Sequence, residues 1–215
     1  MKEVVDLGLP SGTLWCKYNL EAYPELDSNP YSCDFYGNYY SWGETKVKND
    51  YSIDTLTFCD DDHNLTKYCE KDGLTQLLPE DDVAYIKQKC HSFKFHMPTK
   101  EQCEELINYT TSYWCKEPIV NGKIIKDLYG VMFTSKINGN SLFFPTAGYM
   151  TGKHTEDKKI AGGVWTSTNA FGQDDITNYH KAYFLHFDGD FGQSAYIDID
   201  YRGRGLNIRP VINLK

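Results

Sequence analysis

The stretch "AYFLHFDGDFGQSAYIDIDYRGRG" (Ala182–Gly205) contains two runs that alternate strictly. In the first, Tyr183, Leu185 and Phe187 share one side, and Phe184, His186 and Asp188 share the other. In the second, Ala195, Ile197, Ile199 and Tyr201 lie opposite Tyr196, Asp198 and Asp200. A period of two is the signature of a β-strand with one buried and one wet face. The pattern therefore predicts two adjacent strands whose exposed face carries Phe184, His186, Asp188, Tyr196, Asp198 and Asp200. The turn between them supplies Asp190, Phe191 and Gln193, and "RGRG" is expected as a turn with Arg202 and Arg204 at its rim.

Such a face has four readings. Asp188, Asp190, Asp198 and Asp200 could hold calcium, which wants several oxygens converging on one point. Residues two apart on a strand, however, place their side-chain roots about 6–7 Å apart, and "DGD" lacks the spacing of a twelve-residue calcium loop. Two carboxylates could serve as general acid and base, but nothing in the sequence buries either of them. A solvated polar face is the plain alternative. The fourth reading is a partner-binding face, with mixed aromatic, acidic, amide and Arg groups on rigid strands and their loops. Here Phe184, Phe191, Tyr196 and Tyr201 would be anchors. His186, Asp188, Asp190, Gln193, Asp198, Asp200 and Arg204 would set specificity, with Asn178 and Tyr179 extending the patch. No catalytic residue, metal or cofactor is expected.

Outward from this stretch, the second half continues in short strands: "YGVMFTSK", "SLFFPTAGY", "GGVWTST" and "LNIRPVI". Asn138–Gly139 between the first two suits a tight hairpin turn with positive φ. Two helices are expected earlier. "LLPEDDVAYIKQKC" has Pro79 and three acids at its start, with Val83, Ile86 and Cys90 on one face. "MPTKEQCEELINY" has Thr99 as N-cap and Gln102 three residues on, a capping box, ahead of the stripe Cys103, Leu106, Ile107. "DLGLPSGTLWCKYNL" reads as a short strand with a Pro-Ser-Gly turn. The acidic triplet Asp60–Asp62 with His63 reads as a solvated loop. The sum is an α+β chain with segregated elements.

Composition narrows the partners. The chain has 215 residues, one domain's length, and a net charge of −8; an acidic chain repels phosphate backbones, so nucleic acid is not expected. No apolar run approaches a membrane span, so no membrane insertion is expected. "MKEVVDLGLP" lacks the apolar core of a signal peptide. Seven Cys, without any CxxC, are expected as reduced and partly buried thiols, with Cys59–Cys69 the nearest pair if one disulfide forms. Seventeen Tyr suggest that some are displayed, although half-buried strand Tyr would explain them too.

"DLGLPSGTLW", "YGNYYSWGETK", "LTKYC", "LLPEDD", "FHMPTKEQCEELI", "FFPTAGY", "VWTST" and "GLNIRPV" occur in this order along nearly the whole chain. In that order they resemble the major paralogous domain family abundant in Fibrobacter, in Bacteroides and in Bacteroides phages. That family is similar to the C-type lectin-like fold, in the branch of formylglycine-generating enzymes and the variable proteins of diversity-generating retroelements. The resemblance implies two helices packed on a small twisted antiparallel sheet, long irregular loops and adjacent chain ends. It also implies a non-catalytic module that recognises a protein or glycan on a cell surface. In diversified relatives the variable segment would correspond to Trp165–Val211 here. The alternative is a structural decoration of a phage virion or cell surface, made in the cytoplasm, whose partners are assembly subunits or copies of itself.

Departures from the family's enzymes and lectins sharpen this. Formylglycine-generating enzymes use late cysteines, and this chain has none after Cys115. Calcium-dependent lectins carry "EPN" or "QPD" with "WND", whereas this chain has "EPI" at Glu117–Ile119 and no "WND". Trp15, Trp42 and Trp165 fall within the motifs and are expected in the core, and Arg209 is expected to close the sheet near the chain end.

Overall fold

The structure, a computed structural model, describes residues 3–22, 34–87, 89–90, 93–120, 122–171, 180–189 and 195–213. In chain order the first elements are β1 (Val4–Asp6), β2 (Thr13–Cys16), α1 (Val83–Lys87), β3 (Lys89–Cys90), β4 (Phe93–Lys94), α2 (Lys100–Tyr109) and β5 (Thr110–Lys116). Then follow β6 (Ile119–Val120), β7 (Lys123–Ile124), β8 (Tyr129–Ser135), β9 (Ser141–Pro145), β10 (Tyr149–Thr151) and β11 (His154–Glu156). The last are β12 (Ala161–Asn169), β13 (Lys181–Asp188), β14 (Tyr196–Tyr201) and β15 (Val211–Asn213). The architecture is α+β: small antiparallel sheets with two helices.

The early and late parts of the chain meet in one sheet of order β1-β2-β15, with Trp15 paired to Val5 on one side and to Val211 on the other. All four residues of β2 are buried, so this strand needs cover from both neighbours. The turn before it is pinned to α2: the Ser11 hydroxyl donates to Glu105 Oε2 (2.6 Å) and the Ser11 N–H to Oε1 (2.8 Å).

The helices follow their capping chemistry. Thr99 and Gln102 form the expected capping box, and Cys103 and Leu106 are buried beneath it, an arrangement worth about 1 kcal/mol at the N-cap. The first helix is shorter than expected. Asp82 Oδ1 accepts from Tyr85 N–H (3.0 Å) and Oδ2 from Met97 N–H (2.8 Å), so Asp82 caps the helix and ties it to the next segment. The helix ends at Lys87, and Cys90 belongs to β3 rather than to the helical face.

Between β8 and β9 the connection is a five-residue loop, not the two-residue turn expected at Asn138–Gly139. Ser135 Oγ accepts from the N–H groups of Ile137 and Asn138 (3.0 and 3.2 Å), which winds the chain once before Gly139 takes its positive φ of 77°. Strand β5, which follows α2 without a break and pairs along β8, has no counterpart in the sequence reading.

The sheet β12-β13-β14 runs through the middle of the molecule. Every residue of β12 is buried. On one face Trp165, Phe184 and Ala182 pack with Tyr40, Trp42, Tyr68, Leu206 and Ile208. On the other, Val164, Leu185 and Phe187 pack with Trp15, Phe133, Phe144, Cys103 and Leu106. The approach is so close at Gly163 that a Cβ there would lie 2.6 Å from the Phe184 ring. Trp15, Trp42 and Trp165 are all fully buried.

Two arginines are buried with them. Arg209 Nε donates to Asn19 Oδ1 (2.8 Å), Nη1 to the carbonyls of Cys16 and Lys17 (3.2 and 2.7 Å), and Nη2 to the carbonyl of Phe143 (3.1 Å). Its plane lies 4.2 Å from the centroid of Phe144, and burial pulls its pKa down to about 9. Arg202, expected at a turn rim, is instead 1% exposed, with Nη1 on the Tyr68 carbonyl (3.0 Å) and its plane over Trp42. An Arg beside a Gly reads as surface in sequence, but its flat guanidinium can stack on Trp42 while donating to main-chain carbonyls.

Tyrosine is largely consumed by structure. Tyr40, Tyr51, Tyr68 and Tyr149 are buried, and lysines lie over the rings of Tyr18, Tyr36, Tyr40, Tyr51, Tyr68, Tyr183 and Tyr201. Four Tyr stand out as exposed among the described residues: Tyr85, Tyr109, Tyr113 and Tyr201.

Two predictions follow from this packing. Arg209→Met strands several buried carbonyls, and urea unfolding should show a loss of about 3 kcal/mol or more, which Arg209→Lys does not restore because an ammonium cannot reproduce the fork. Glu21 is the second case. Burial pushes its carboxyl up, but the hydrogen bonds from Lys87, Tyr40 and Asn38 prevail and bring it down to about 2. A depressed carboxylate contributes stability above its unfolded pKa that is lost as pH falls through the folded one. Unfolding free energy should therefore drop between about pH 4.5 and pH 2, and the drop should be smaller in Glu21→Gln.

Candidate functional site

The two alternating runs do form adjacent antiparallel strands, with Phe184 opposite Asp198, His186 opposite Tyr196 and Ala182 opposite Asp200. The shared exposed face does not follow. Phe184 is 3% exposed and packs edge-on against Trp165 and Tyr149 (centroids 5.9 and 6.4 Å). It is a core residue whose truncation would cost about 3–5 kcal/mol, not a surface anchor. Asp188 is 7% exposed. The reason is the position of β13: the middle strand of a sheet covered on both faces buries both of its alternating sets.

His186 is nearly buried between two partners. Nε2 lies 2.9 Å from Asp188 Oδ2, and Nδ1 lies 2.9 Å from the Tyr149 hydroxyl. A carboxylate only accepts, so Nε2 carries the hydrogen toward Asp188, and in the neutral ring Nδ1 accepts from Tyr149. Burial pushes the Tyr149 hydroxyl pKa up and keeps it a donor. Tyr196 leans on the imidazole (4.7 Å between centroids) from the edge strand. This chain of hydrogen bonds satisfies its own members and fixes β10 against β13. Tyr149 was not among the candidates from sequence, and only its place in "FFPTAGY" marked it.

The acids of β14 have a different task. Arg202 N–H donates to the His180 carbonyl (2.9 Å), which fixes the parity of the β13–β14 ladder: even-numbered residues of β14 bond to β13 and odd-numbered N–H groups point away. β14 is an edge strand. Asp198 Oδ1 accepts from Ile199 N–H (2.8 Å) and Asp200 Oδ1 from Tyr201 N–H (2.7 Å). Each Asp thus closes the outward main-chain donor that follows it. Capped donors and charge on an edge strand oppose its pairing with another chain.

Beyond the strand, Tyr201 is 54% exposed, because β14 runs past the core there. Arg204 Nη1 donates to Asp200 Oδ2 (3.0 Å), with the Asp200 side chain only 13% exposed. Burial pushes the Asp200 carboxyl up, and Arg204 opposes that shift. Tyr201, Gly203, Arg204 and His180 face Tyr51, Ser52, Ile53 and Thr151 across a groove of about 390 Å³. Burial lowers the His180 pKa, with Arg202 adding to the effect. His180, Ser52, Ile53 and Thr151 carry no sequence signal; only the tertiary fold brings them together.

Of the expected patch, the structure brings Tyr196, Asp198, Asp200, Tyr201 and Arg204 to one edge, with His186 and Asp188 beneath. Asn178, Tyr179, Asp190, Phe191 and Gln193 lie outside the described residues. Among the described residues no three His, Cys, Asp or Glu gather as a metal site. Asp60, in the acidic loop, is committed to the N–H groups of Asp62 and Asn64. Cys59 and Cys69 are free thiols in one apolar cluster with Leu56 and Leu65. No helix among the described residues is long and apolar enough to cross a membrane. None of the family models, curated proteins and solved structures compared with this chain matches it.

Replacing both Asp198 and Asp200 by Ala frees two outward N–H groups and removes two charges from the edge. Light scattering should then show concentration-dependent self-association that the parent chain lacks. A double variant that stays at the parent's mass at every concentration would show that the caps do not protect the edge.

Proposed function

We propose that the chain is a single C-type lectin-like domain acting as a non-catalytic binding module for a protein or glycan, through the edge formed by β14 and the turn after it. The fold side of this reading is supported by three features. The early and late strands meet in one sheet, two helices pack beside small antiparallel sheets, and long stretches such as 56–82 lack regular structure. The observation that carries the binding site is the groove at Tyr201 and Arg204. It combines the most exposed ring of the region with a guanidinium already held in place by Asp200. Rigid, pre-set groups beside an aromatic surface lose little entropy on binding.

A cell-surface ligand suits this module, and diversification within Trp165–Val211 would act on the same edge. A structural role in a phage virion or surface assembly is the second reading. It is favoured by the β6–β7 hairpin, where Ile119 and Ile124 sit opposite each other and are 69% and 57% exposed. Measured mass separates the two: a stable oligomer without ligand favours assembly.

Tyr201→Ala combined with Arg204→Ala should leave the circular dichroism spectrum unchanged. It should also abolish binding on arrays of surface glycans and surface proteins that retain the parent chain. Unchanged binding by the folded variant would place the ligand elsewhere.

A further inference from the structure

We infer that the groove at Tyr201 and Arg204 takes a saccharide carrying a carboxylate, such as a hexuronic acid unit, with the carboxylate on Arg204 and the sugar ring against Tyr201. This rests on the binding reading above and names the chemistry of the ligand.

Arg204 has only donors. One of them, on Nη1, is given to Asp200, and the others have no partner among the described residues, although the side chain lines the groove. The polar groups nearby offer acceptors rather than donors to a ligand. Asp200 uses one oxygen for Tyr201 N–H and the other for Arg204. The Thr151 hydroxyl donates to Glu156 (3.2 Å), and the Tyr51 hydroxyl donates to the Tyr39 carbonyl (2.7 Å). A sugar's hydroxyls can donate to these oxygens, so what the groove asks of the ligand besides is an acceptor for the guanidinium. A carboxylate brings acceptors alone, and its two oxygens match the spacing of the free guanidinium edge.

The charges around the groove agree. Lys181 Nζ lies 5.2 Å from the Tyr201 ring centroid, and Lys153 sits in the turn after Thr151, 4.0 Å from Asp50. With Arg204 they make this a local gathering of cations on a chain of net charge −8. Asp200, Asp50 and Glu156 are acids beside it; Asp200 and Asp50 are each set against one of these cations, and Glu156 accepts from Thr151.

The protein alternative is weakened by the edge caps. An extended peptide usually binds a sheet edge through main-chain hydrogen bonds, and at β14 the outward donors of Ile199 and Tyr201 are already taken. What remains is recognition by side chains in a groove of about 390 Å³, within the range of small-molecule sites.

The test uses the whole chain and titrates it by calorimetry and NMR with four probes: sodium glucuronate, digalacturonate, their neutral counterparts glucose and digalactose, and a short peptide with a free C-terminal carboxylate. The acidic sugars should bind roughly 10- to 100-fold more tightly than the neutral ones, as expected for a charge-assisted pair. Arg204→Gln should erase that preference, and Tyr201→Ala should weaken every sugar. Equal affinity for acidic and neutral sugars overturns the inference, as does a preference that survives in folded Arg204→Gln. Binding of the peptide without the sugars also overturns it while leaving the groove as a binding site. If no probe binds the parent chain, the carboxylate-sugar assignment fails, and the array experiment alone then decides the wider reading.

Discussion

The guanidinium of Arg209 is the contact on which the rest of the architecture depends. It holds the carbonyls of Cys16 and Lys17 at the end of β2, the side chain of Asn19, and the carbonyl of Phe143 in β9. One group therefore joins the sheet of early and late strands to the sheet β5-β8-β9. Removing that charge from water is costly. Four acceptors and the face of Phe144 compensate, and no carboxylate is among the four. A carbonyl acceptor stays fixed as the backbone is fixed, so the arrangement rewards only one relative position of these strands. Arg202 repeats the device on the other side of the central sheet, stacking on Trp42 and donating to the carbonyls of Tyr68 and Lys181.

These two anchors explain where a ligand surface can exist. With cores on both faces of β12-β13-β14, neither face of that sheet is available. What is left is its edge, and the edge is β14 with the turn that Arg202 pulls inward. Because Arg202 is buried, its neighbours Tyr201 and Gly203 are carried to the rim of the groove, and Arg204 emerges beside them. The edge proposed for binding is in this sense a consequence of a structural arginine two residues away from the one that would meet the ligand.

Local signals were legible in the sequence and layered ones were not. The Thr99–Gln102 capping box, the alternation of the two runs and the burial of Trp15, Trp42 and Trp165 all depend on neighbours within a few residues or on a residue's own chemistry. The helix starting at Val83 was read too long because Asp82 bonds to Met97, fifteen residues on, and that contact leaves no trace in helical spacing. The exposure of Phe184 and Asp188 was misread because alternation reports two faces without saying whether either one meets water. A run such as "AYFLHFD" looks the same in a half-wet sheet as in one covered on both sides, unless its polar members have buried partners. Here they do, and the partner, Tyr149, is thirty-seven residues from His186.

The same distinction bears on variation along Trp165–Val211. In β12, positions 165 to 169 are buried without exception, and Phe184, Leu185, Phe187, Arg202 and Arg209 are core. Substitution there changes stability before it can change recognition. His186 and Asp188 bond to each other, so altering either takes a hydrogen bond from a nearly buried polar group, at a cost of about 1–3 kcal/mol. Asp198 and Asp200 are constrained by the N–H groups they close. Among the described residues, Tyr196, Tyr201 and Arg204 are the positions of the expected patch where a side chain can change without opening the core or the sheet edge. A ligand specificity that is to vary on this scaffold has its freedom, among the described residues, at those three positions, while the acids that first drew attention to the stretch hold the edge closed.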